Sequence, residues 1–236
     1  MIRLENLQKR FGRRVAVENL SLEIEEGALY GLLGHNGAGK STTIGMMLGQ
    51  VVPDAGRVLI GGHDVQRQRA QALGRTGAIF ETPSFYGYLS GRRNLEIFCS
   101  YGRPVSRHEI DEAVDTVRLG SRIDDPVRVY SHGMRQRLAL AQALLPRPRV
   151  LILDEPSEGL DPEGIYEMRE LIRQLHRDFQ LTILICSHLL AEVEQICPHV
   201  AIMRKGRLLF HGDWRAAQPD STLEQFYLQT VKGIKV

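Results

Sequence analysis

The sequence contains little cysteine, and what it has is spaced like neither a disulfide framework nor a metal site. Its 236 residues include three cysteines, Cys99, Cys186 and Cys197, and none belongs to a Cys-x-x-Cys pair. An odd number without such spacing argues for a reducing compartment and against a disulfide framework or a zinc site. Cys186 lies within an apolar run, which is typical of a small core residue.

Long apolar runs and an excess of one charge are also missing. No run approaches the roughly 20 apolar residues of a membrane span. Charged residues at Arg3, Glu5, Lys9 and Arg10 interrupt any signal-peptide core. We therefore expect any membrane role to come through another chain. The 30 basic and 28 acidic residues leave a net charge of +2, which requires no nucleic-acid partner.

The composition is that of a globular protein. Apolar residues make up 43% of the chain, which is ample for a core, and no low-complexity tract interrupts them. The length of 236 residues predicts one large domain or one domain with a sizeable subdomain.

A glycine-rich stretch fits the phosphate-loop pattern of Gly, four residues, then Gly-Lys-Ser/Thr. The phosphate loop consists of Gly34, His35, Asn36, Gly37, Ala38, Gly39, Lys40, Ser41 and Thr42. An apolar run over 28–33 predicts a buried strand before it, and 43–48 predicts the start of a helix after it. Such a turn directs backbone N–H groups at phosphate oxygens, next to the positive end of a helix. Lys40 can then reach the β- and γ-phosphates of a nucleotide, and Ser41 can ligate Mg²⁺.

Periodicity along the rest of the chain predicts an α/β fold. Alternating residues over 2–7 and 15–24, with a short strand over 57–60, predict a small antiparallel layer. Buried strands at 150–153 and 181–186 are separated by a predicted helix, which begins at Pro162 after Asp161 and ends at Phe179. Strands that alternate with helices imply a mostly parallel sheet.

In the sequence between the earlier and the later strands of this sheet, the residues have helical spacing, which predicts a helical insertion. It contains a helix that follows Ser106, and Glu109 three residues later predicts a capping box. We expect one domain over residues 1–236. Its parts are an α/β core at 1–81 and 146–212, a helical subdomain at 82–145 and a C-terminal helix at 213–236.

An acidic pair follows the buried strand at 150–153. Asp154 and Glu155 are thereby delivered to the C-terminal end of that strand, where ligands of parallel sheets bind. Asp154 can hold Mg²⁺, usually through water. Glu155 can orient or deprotonate an attacking water. Many strands end in acidic loops, but downstream of a phosphate loop the pair indicates nucleotide hydrolysis.

One further stretch, the signature segment, carries a family resemblance. It reads Tyr130-Ser131-His132-Gly133-Met134-Arg135-Gln136-Arg137. It resembles the signature loop and following helix of the nucleotide-binding subunits of ATP-binding cassette (ABC) transporters. The resemblance extends from Phe11 to about Phe210. It implies a phosphate-loop NTPase core, organised as a single ABC ATPase domain that binds ATP and Mg²⁺ and hydrolyses ATP.

In that family the signature loop contacts the γ-phosphate held by the phosphate loop of a second subunit. The resemblance therefore implies nucleotide-binding roles for Ser131, His132, Gly133 and Met134. The Ser131 hydroxyl, the Gly133 N–H and a helix N-terminus would converge on that charge. The alternative is that Ser131 is an ordinary helix N-cap.

Three other positions match the family one by one. Phe11 resembles the aromatic residue that stacks on adenine, with a core phenylalanine as the alternative. Asp161 resembles a residue of the loop that crosses the dimer interface, which implies contact with nucleotide. His188 resembles the switch histidine that contacts the γ-phosphate, and we group it with Glu155 as a catalytic residue.

Two positions depart from the family pattern. Glu81 stands where the family usually has Gln, and it can still ligate Mg²⁺ together with Ser41 and Asp154. Glutamate at this position, with the stretch 81–86, resembles a branch typified by bacitracin-resistance and related antibiotic exporters. His132 stands where Gly is commonest, so its side chain could tighten or obstruct the γ-phosphate contact.

The resemblance also implies a mechanism and partners. Two subunits, most simply a homodimer, close head to tail over two MgATP, and hydrolysis reopens them. The motion drives separate multi-span permease subunits, which would hold this chain at the cytoplasmic face of the inner membrane as part of an exporter. Pro83, Phe85, Tyr86 and Tyr88 are candidate contacts for a permease helix. The alternative is a satellite core under the insertion.

Two other classes of protein use a similar phosphate loop. A cassette protein acting on DNA or ribosomes would carry long coiled-coil insertions or two cassettes with a charged linker, and neither occurs in this sequence. A GTPase would need a guanine-reading Asn-Lys-x-Asp motif, which this sequence lacks. A multi-span protein encoded beside this chain would support the transporter, and that protein would also determine the substrate.

Overall fold

Two β-sheets form the framework of the protein. The computed structural model describes residues 1–80, 84–102 and 104–233. Glu81 and Pro83, both singled out above, therefore lie outside the described part of the chain.

The described residues contain ten strands and nine α-helices. The strands are β1 (Ile2–Phe11), β2 (Arg14–Ile24), β3 (Leu29–Leu33), β4 (Ala55–Ile60), β5 (His63–Asp64), β6 (Thr76–Ile79), β7 (Val150–Asp154), β8 (Thr182–Ser187), β9 (His199–Arg204) and β10 (Arg207–Asp213). The helices are α1 (Lys40–Met47), α2 (Arg69–Leu73), α3 (Gly91–Cys99), α4 (Arg107–Thr116), α5 (His132–Leu144), α6 (Pro162–Phe179), α7 (Leu190–Ile196), α8 (Trp214–Ala217) and α9 (Leu223–Lys232). Two short 3-10 turns, Gly120–Asp124 and Val127–Val129, precede α5.

The smaller sheet is antiparallel, with the strand order β2-β1-β4-β5. Alternate residues of β1, including Ile2, Leu4 and Leu7, are buried, as expected of a half-buried strand. The predicted antiparallel layer is confirmed. The two-residue strand β5 is the fourth strand of this sheet, and no sequence pattern predicted it.

The larger sheet is mostly parallel, as predicted, with the strand order β10-β9-β3-β8-β7-β6. Only β10 runs antiparallel, as the edge strand of a hairpin with β9. Every residue of β3 and β8 is buried. Central strands of this kind are covered on both faces, which explains their continuous apolar runs.

Two apolar clusters cover the two faces of this sheet. Ile183 and Ile185 of β8 join the cluster that includes residues of α4, α5 and α6. Leu184 and Cys186 join the opposite cluster, which includes residues of α1 and the antiparallel sheet. Cys186 is therefore a core residue, as its apolar surroundings predicted. Among the described helices, none combines the length and apolar character that crossing a bilayer requires.

The helices α3, α4 and α5 pack together beside the sheet. The predicted capping box is present: the Ser106 Oγ accepts from the Glu109 N–H at 3.2 Å, and the Glu109 carboxylate accepts from the Ser106 N–H at 2.8 Å. Arg137 of α5 donates to Glu167 of α6 at 2.7 Å and so joins the helical region to the core. The subdomain boundaries at 82 and 145 stay a prediction.

A buried asparagine fixes the loop that enters α3. Asn94 is fully buried and accepts from the Tyr86 N–H at 2.8 Å. It also donates to the carbonyl oxygens of Tyr86 at 3.1 Å and Ser90 at 2.9 Å. The first bond pairs the Tyr86 N–H, and the other two add a second donor to carbonyl oxygens that already accept from the Leu89 and Asn94 N–H groups.

We expect Asn94→Ala to destabilise the protein by about 2–3 kcal/mol, because it removes three hydrogen bonds of a fully buried amide and leaves the Tyr86 N–H without this acceptor. Arg93→Ala is the matched control on the same helix. Its side chain makes only an exposed ion pair with Glu96, worth about 0.5 kcal/mol or less. Urea unfolding of both variants measures the difference, and equal destabilisation would contradict this account of Asn94.

Candidate functional site

The phosphate loop lies between the C-terminal end of β3 and the first turn of α1. Gly37 and Gly39 have φ angles of 81° and 108°, in the left-handed region that favours glycine. A Cβ on Gly39 would lie 2.6 Å from the carbonyl oxygen of Ala16. The Gly206 N–H donates to the carbonyl oxygen of Ala38 at 2.8 Å. These contacts fix the curvature of the loop at a helix N-terminus, which is an anion-binding geometry.

Lys40 is buried in the first turn of α1, and its ammonium donates to the carbonyl oxygen of Gly34 at 2.6 Å. Burial raises the pKa of Asp154, and the positive charge of Lys40 opposes that rise. Ser41 follows on the same turn, so its hydroxyl also belongs to the N-terminus of α1. Lys40 thus links the phosphate loop electrostatically to the acidic end of β7.

Asp154 is the last residue of β7 and pairs with Cys186 of β8. Burial raises the pKa of its carboxyl group, a hydrogen bond from the Cys186 thiol lowers it, and the charge of Glu155 raises it again. The net direction is upward. A divalent cation beside this carboxylate would oppose that shift.

The donors suited to Mg²⁺ at this edge are the Ser41 hydroxyl and the Asp154 carboxylate, both hard oxygen ligands. Within the described ranges, no group of three His, Cys, Asp or Glu side chains is arranged to hold a metal ion. Mg²⁺ is commonly bound by one or two protein oxygens, and water and nucleotide phosphates complete its shell. Ser41 and Asp154 therefore fit the ion. Glu81, the third predicted ligand, lies outside the described residues.

Glu155 and His188 form a close pair next to Asp154. Glu155 has a φ of 48°, which is uncommon for a residue with a side chain, and its N–H donates to the Cys186 carbonyl at 2.8 Å. Its carboxylate lies 2.9 Å from the Nδ1 of His188 and accepts from the His188 N–H at 3.3 Å. The Glu155 side chain is 19% exposed and that of His188 47%. The two predicted catalytic residues are thus brought together.

Ser131 caps helix α5, since its Oγ accepts from the Met134 N–H at 3.2 Å. The N-cap alternative therefore describes its role within this chain. The hydroxyl keeps its own proton for a second bond, and the residue is exposed. Because Ser131 is exposed and its hydroxyl can still donate, the residue can also contact a second subunit.

The His132 imidazole packs against Gly159 of its own chain. A Cβ built on Gly159 would lie 3.3 Å from the His132 Nε2, and Gly159 has a φ of 73°. Glycine at this position therefore leaves room for the imidazole. The side chain that departs from the family pattern thus contacts the loop that precedes Asp161.

Asp161 caps α6, and its carboxylate accepts from the Gly164 N–H at 2.9 Å. A cavity of about 460 Å³ separates the signature segment from this loop, and Ser131, Gly133, Met134 and Asp161 are among its lining residues. The lining includes no residue of the phosphate loop. The predicted site residues therefore fall on two surfaces of the chain.

Phe11 ends strand β1 and is 52% exposed, so it is not a core residue. The Lys9 ammonium lies 5.4 Å from its ring centroid. An exposed aromatic face of this kind can stack on a planar base.

The aromatic loop before α3 divides between the two predicted roles. Phe85 packs against the core and lies edge-on to Phe98 at 6.0 Å, as the satellite-core alternative requires. Tyr86 and Tyr88 are 45% and 71% exposed, as a contact with a partner requires. Pro83 lies outside the described residues.

One residue near the phosphate loop was not found by sequence reasoning. Burial raises the pKa of the Tyr227 hydroxyl in α9, and the backbone of His35 in the phosphate loop opposes this shift. No local pattern predicts this proximity, because the two residues are far apart in sequence.

Comparisons with known proteins agree with this geometry. A family profile described as ABC transporter matches residues 17–158. An uncharacterized ABC transporter ATP-binding protein of Bacillus subtilis (strain 168), YhcH, is 46% identical over 89% of this chain and 68% of its own length. The bacitracin transport ATP-binding protein BcrA of Bacillus licheniformis is 43% identical over the same shares. The lantibiotic transport ATP-binding protein SrtF of Streptococcus pyogenes is 35% identical over 92% and 93%.

Solved structures show the same fold. The ATP-binding subunit of an ABC transporter aligns with a TM-score of 0.86 and 26% identity, over 98% of this chain and 99% of that one. A dimeric ATP-binding cassette in a post-hydrolysis state, bound to ADP and Pi, aligns with a TM-score of 0.80 and 21% identity, over 90% and 98%. The second likeness concerns the fold alone.

We expect Gly39→Ala to weaken ATP binding at least about tenfold, because the new methyl group would collide with the Ala16 carbonyl and reshape the phosphate loop. Gly61→Ala is the matched control: its φ is 58°, and no atom lies within 4 Å of the added Cβ. Both substitutions place a side chain at a positive φ, at a cost of about 1–2 kcal/mol. Only Gly39→Ala adds the collision with the Ala16 carbonyl oxygen. Fluorescence anisotropy of a labelled ATP measures the affinities, and equal values would contradict the steric explanation.

Proposed function

The chain belongs to the ABC transporter family, as an ATP-binding and ATP-hydrolysing subunit, and we propose that Glu155 and His188 carry out hydrolysis within a head-to-tail dimer that drives an exporter. The observation that carries this proposal is the Glu155–His188 pair, held 2.9 Å apart at the strand edge that also bears the phosphate loop. The family membership gives the class of reaction, and the pair gives candidate groups for its proton transfer.

Nucleotide binding is assigned to the phosphate loop and to Phe11. The backbone N–H groups of residues 34–42 and the N-terminus of α1 would receive the phosphates, and Lys40 would reach the β- and γ-phosphates. The exposed ring of Phe11 would stack on adenine. Mg²⁺ would be held by Ser41, Asp154 and Glu81, and when bound it neutralises charge that develops on the phosphate oxygens.

Hydrolysis is assigned to Glu155 as general base. Its carboxylate would accept a proton from the attacking water as the oxygen of that water bonds to the γ-phosphorus. His188 engages this carboxylate through Nδ1, so Nε2 is the ring nitrogen left for the γ-phosphate. The part of the Glu155 side chain that remains exposed leaves room for the water.

We assign the second surface, which bears the signature segment and Asp161, to contact with the nucleotide of the partner subunit. Ser131, His132, Gly133 and Met134 at the N-terminus of α5 would contact the γ-phosphate held by another subunit, and Asp161 would lie at the interface. This arrangement is supported by the exposure of Ser131 and by the separation of this surface from the phosphate loop. We propose a homodimer, because one chain supplies both halves of the composite site.

Permease subunits are the proposed membrane partners, and through them the chain would be held at the cytoplasmic face of the membrane. Tyr86 and Tyr88 are exposed on a loop that Asn94 anchors, which supports them as contacts for a permease helix. Relatives are named for bacitracin and lantibiotic transport. We therefore propose export of a compound of that kind, with no nucleic-acid partner.

We expect Glu155→Gln to keep ATP binding, reduce turnover by about 10²–10⁴-fold and trap an ATP-bound dimer, because the amide cannot accept the proton. Phosphate release measures turnover, and sedimentation measures the dimer. Lys40→Ala is the contrasting variant, since it should weaken ATP binding itself. Turnover of Glu155→Gln within a few-fold of wild type would exclude Glu155 as the main base.

We expect a mixture of Lys40→Ala and Ser131→Arg chains to associate with ATP better than either variant alone. Each heterodimer would retain one intact composite site, with the phosphate loop from one chain and the signature segment from the other. Size-exclusion chromatography with ATP measures the association. Association in the mixture no stronger than in the separate variants would remove the support for a head-to-tail dimer.

A further inference from the structure

The hairpin that joins β1 to β2 bears Phe11 on one side of its turn and Arg14 on the other. These two residues pair directly across the strands, and Gly12 and Arg13 form the turn between them. Side chains that are opposite each other in an antiparallel pair are neighbours on the sheet. A molecule that contacts the exposed ring of Phe11 therefore comes within reach of the Arg14 side chain.

Strand β2 is attached to the phosphate loop through the turn between β9 and β10. The Glu18 N–H donates to the Gly206 carbonyl at 2.8 Å, and the Gly206 N–H donates to the Ala38 carbonyl at 2.8 Å. The Glu18 carboxylate also accepts two bonds from the Arg207 guanidinium, both 2.9 Å long. These bonds hold β2 against the phosphate loop, so the fold determines where Arg14 lies relative to that loop.

The guanidinium of Arg14 lies beside Gly37 of the phosphate loop. Its Nη2 is 3.5 Å from the position that a Cβ on Gly37 would take. Apart from Gly37 and its two neighbours in the chain, no other atom of the described residues lies within 4 Å of that position. Gly37 is itself exposed. The guanidinium therefore borders an open space at the part of the loop that would receive phosphate.

The positive charge of Arg14 is available to a ligand. Arg14 is exposed, and among the residues that the structure describes it makes no ion pair with a carboxylate. Lys40 is the buried cation of the phosphate loop, and Arg14 adds an exposed one. The alternative is a surface cation that contacts only water, which would make Arg14 equivalent to its neighbour Arg13.

Phosphate is the ligand that suits this position. A guanidinium binds phosphate oxygens through charge-assisted hydrogen bonds, and its planar fork can make two of them at once. The adjacent loop and the N-terminus of α1 already favour an anion there. A carboxylate of the protein could have occupied the same fork, but within the described ranges none does.

We infer that Arg14 is a further nucleotide-binding residue, whose guanidinium contacts phosphate oxygens of the ATP held by the phosphate loop. One hairpin then supplies both the ring that stacks on adenine and a cation for the phosphates. This inference rests on the proposed binding of nucleotide by the phosphate loop and Phe11. It predicts weaker ATP binding when the charge is removed, with the fold intact because Arg14 is exposed.

We expect Arg14→Ala to raise the Kd for ATP about tenfold, because a charge-assisted hydrogen bond is lost. Arg14→Gln keeps much of the side-chain length without the charge, and should bind about as weakly as Arg14→Ala. Arg14→Lys keeps the charge without the fork, and should fall between Arg14→Ala and wild type. Arg13→Ala is the matched control: it removes the same charge one residue away and should stay within about twofold of wild type.

Displacement of a fluorescent ATP analogue from the purified full chain measures each Kd, and thermal unfolding shows that each variant is folded. Equal affinities of Arg14→Ala and Arg13→Ala would overturn the inference, and so would wild-type affinity of Arg14→Gln.

Phe11→Ala tests whether Arg14 acts only by supporting the neighbouring ring. A guanidinium that contacts phosphate matters without the ring as well, so adding Arg14→Ala to Phe11→Ala should weaken binding further, by about tenfold. An unchanged Kd on adding Arg14→Ala would overturn the phosphate contact.

Lys40→Ala in the same assay separates the inference from the proposed site on which it rests. If Lys40→Ala binds ATP normally, the proposed phosphate site fails and the inference fails with it. If Lys40→Ala binds weakly while Arg14→Ala and Arg13→Ala bind alike, only the role of Arg14 fails.

Discussion

The register of the parallel strands β3, β8 and β7 is the constraint on which the site depends. Leu33 pairs with Ser187, and Asp154 pairs with Cys186, so the phosphate loop, Glu155 and His188 leave the sheet at the same edge. A slip of one residue would turn apolar side chains to the wrong face and move a reacting group by about 3.3 Å along its strand. The two cores that enclose the sheet therefore also set the distances among the groups of the site.

Local patterns were sufficient to predict most of the fold. Helix α6 has the predicted bounds, because Asp161 caps it, Pro162 occupies its first turn and an apolar stripe runs along it. The phosphate loop, the acidic end of β7 and the capping box at Ser106 likewise depend on residues that are close in sequence. In each case the physical cause lies within a few residues of its effect, and the sequence displays it directly.

Features that depend on distant packing could not be predicted in this way. The proximity of Tyr227 to the backbone of His35 brings α9 next to a loop near the other end of the chain. Glu155 has a left-handed φ while its N–H pairs with the Cys186 carbonyl of a strand far away in sequence, and no local pattern indicated that conformation. Sequence thus predicted which groups take part in the proposed reaction, while tertiary structure determines how they are held.

The two surfaces proposed to contact nucleotide differ in how their helices begin. Helix α1 starts at Gly39 without a side-chain cap, so its first N–H groups stay available for phosphate oxygens. Helix α5 is capped by Ser131 through a 3.2 Å bond to Met134, so its N-terminus is already partly satisfied. In the proposed dimer, the chain's own phosphate loop would therefore bind nucleotide more strongly than the signature segment does. In that dimer, the difference would set an order of events: each subunit would first bind ATP on its own loop, and the bound γ-phosphate would then recruit the α5 terminus of its partner.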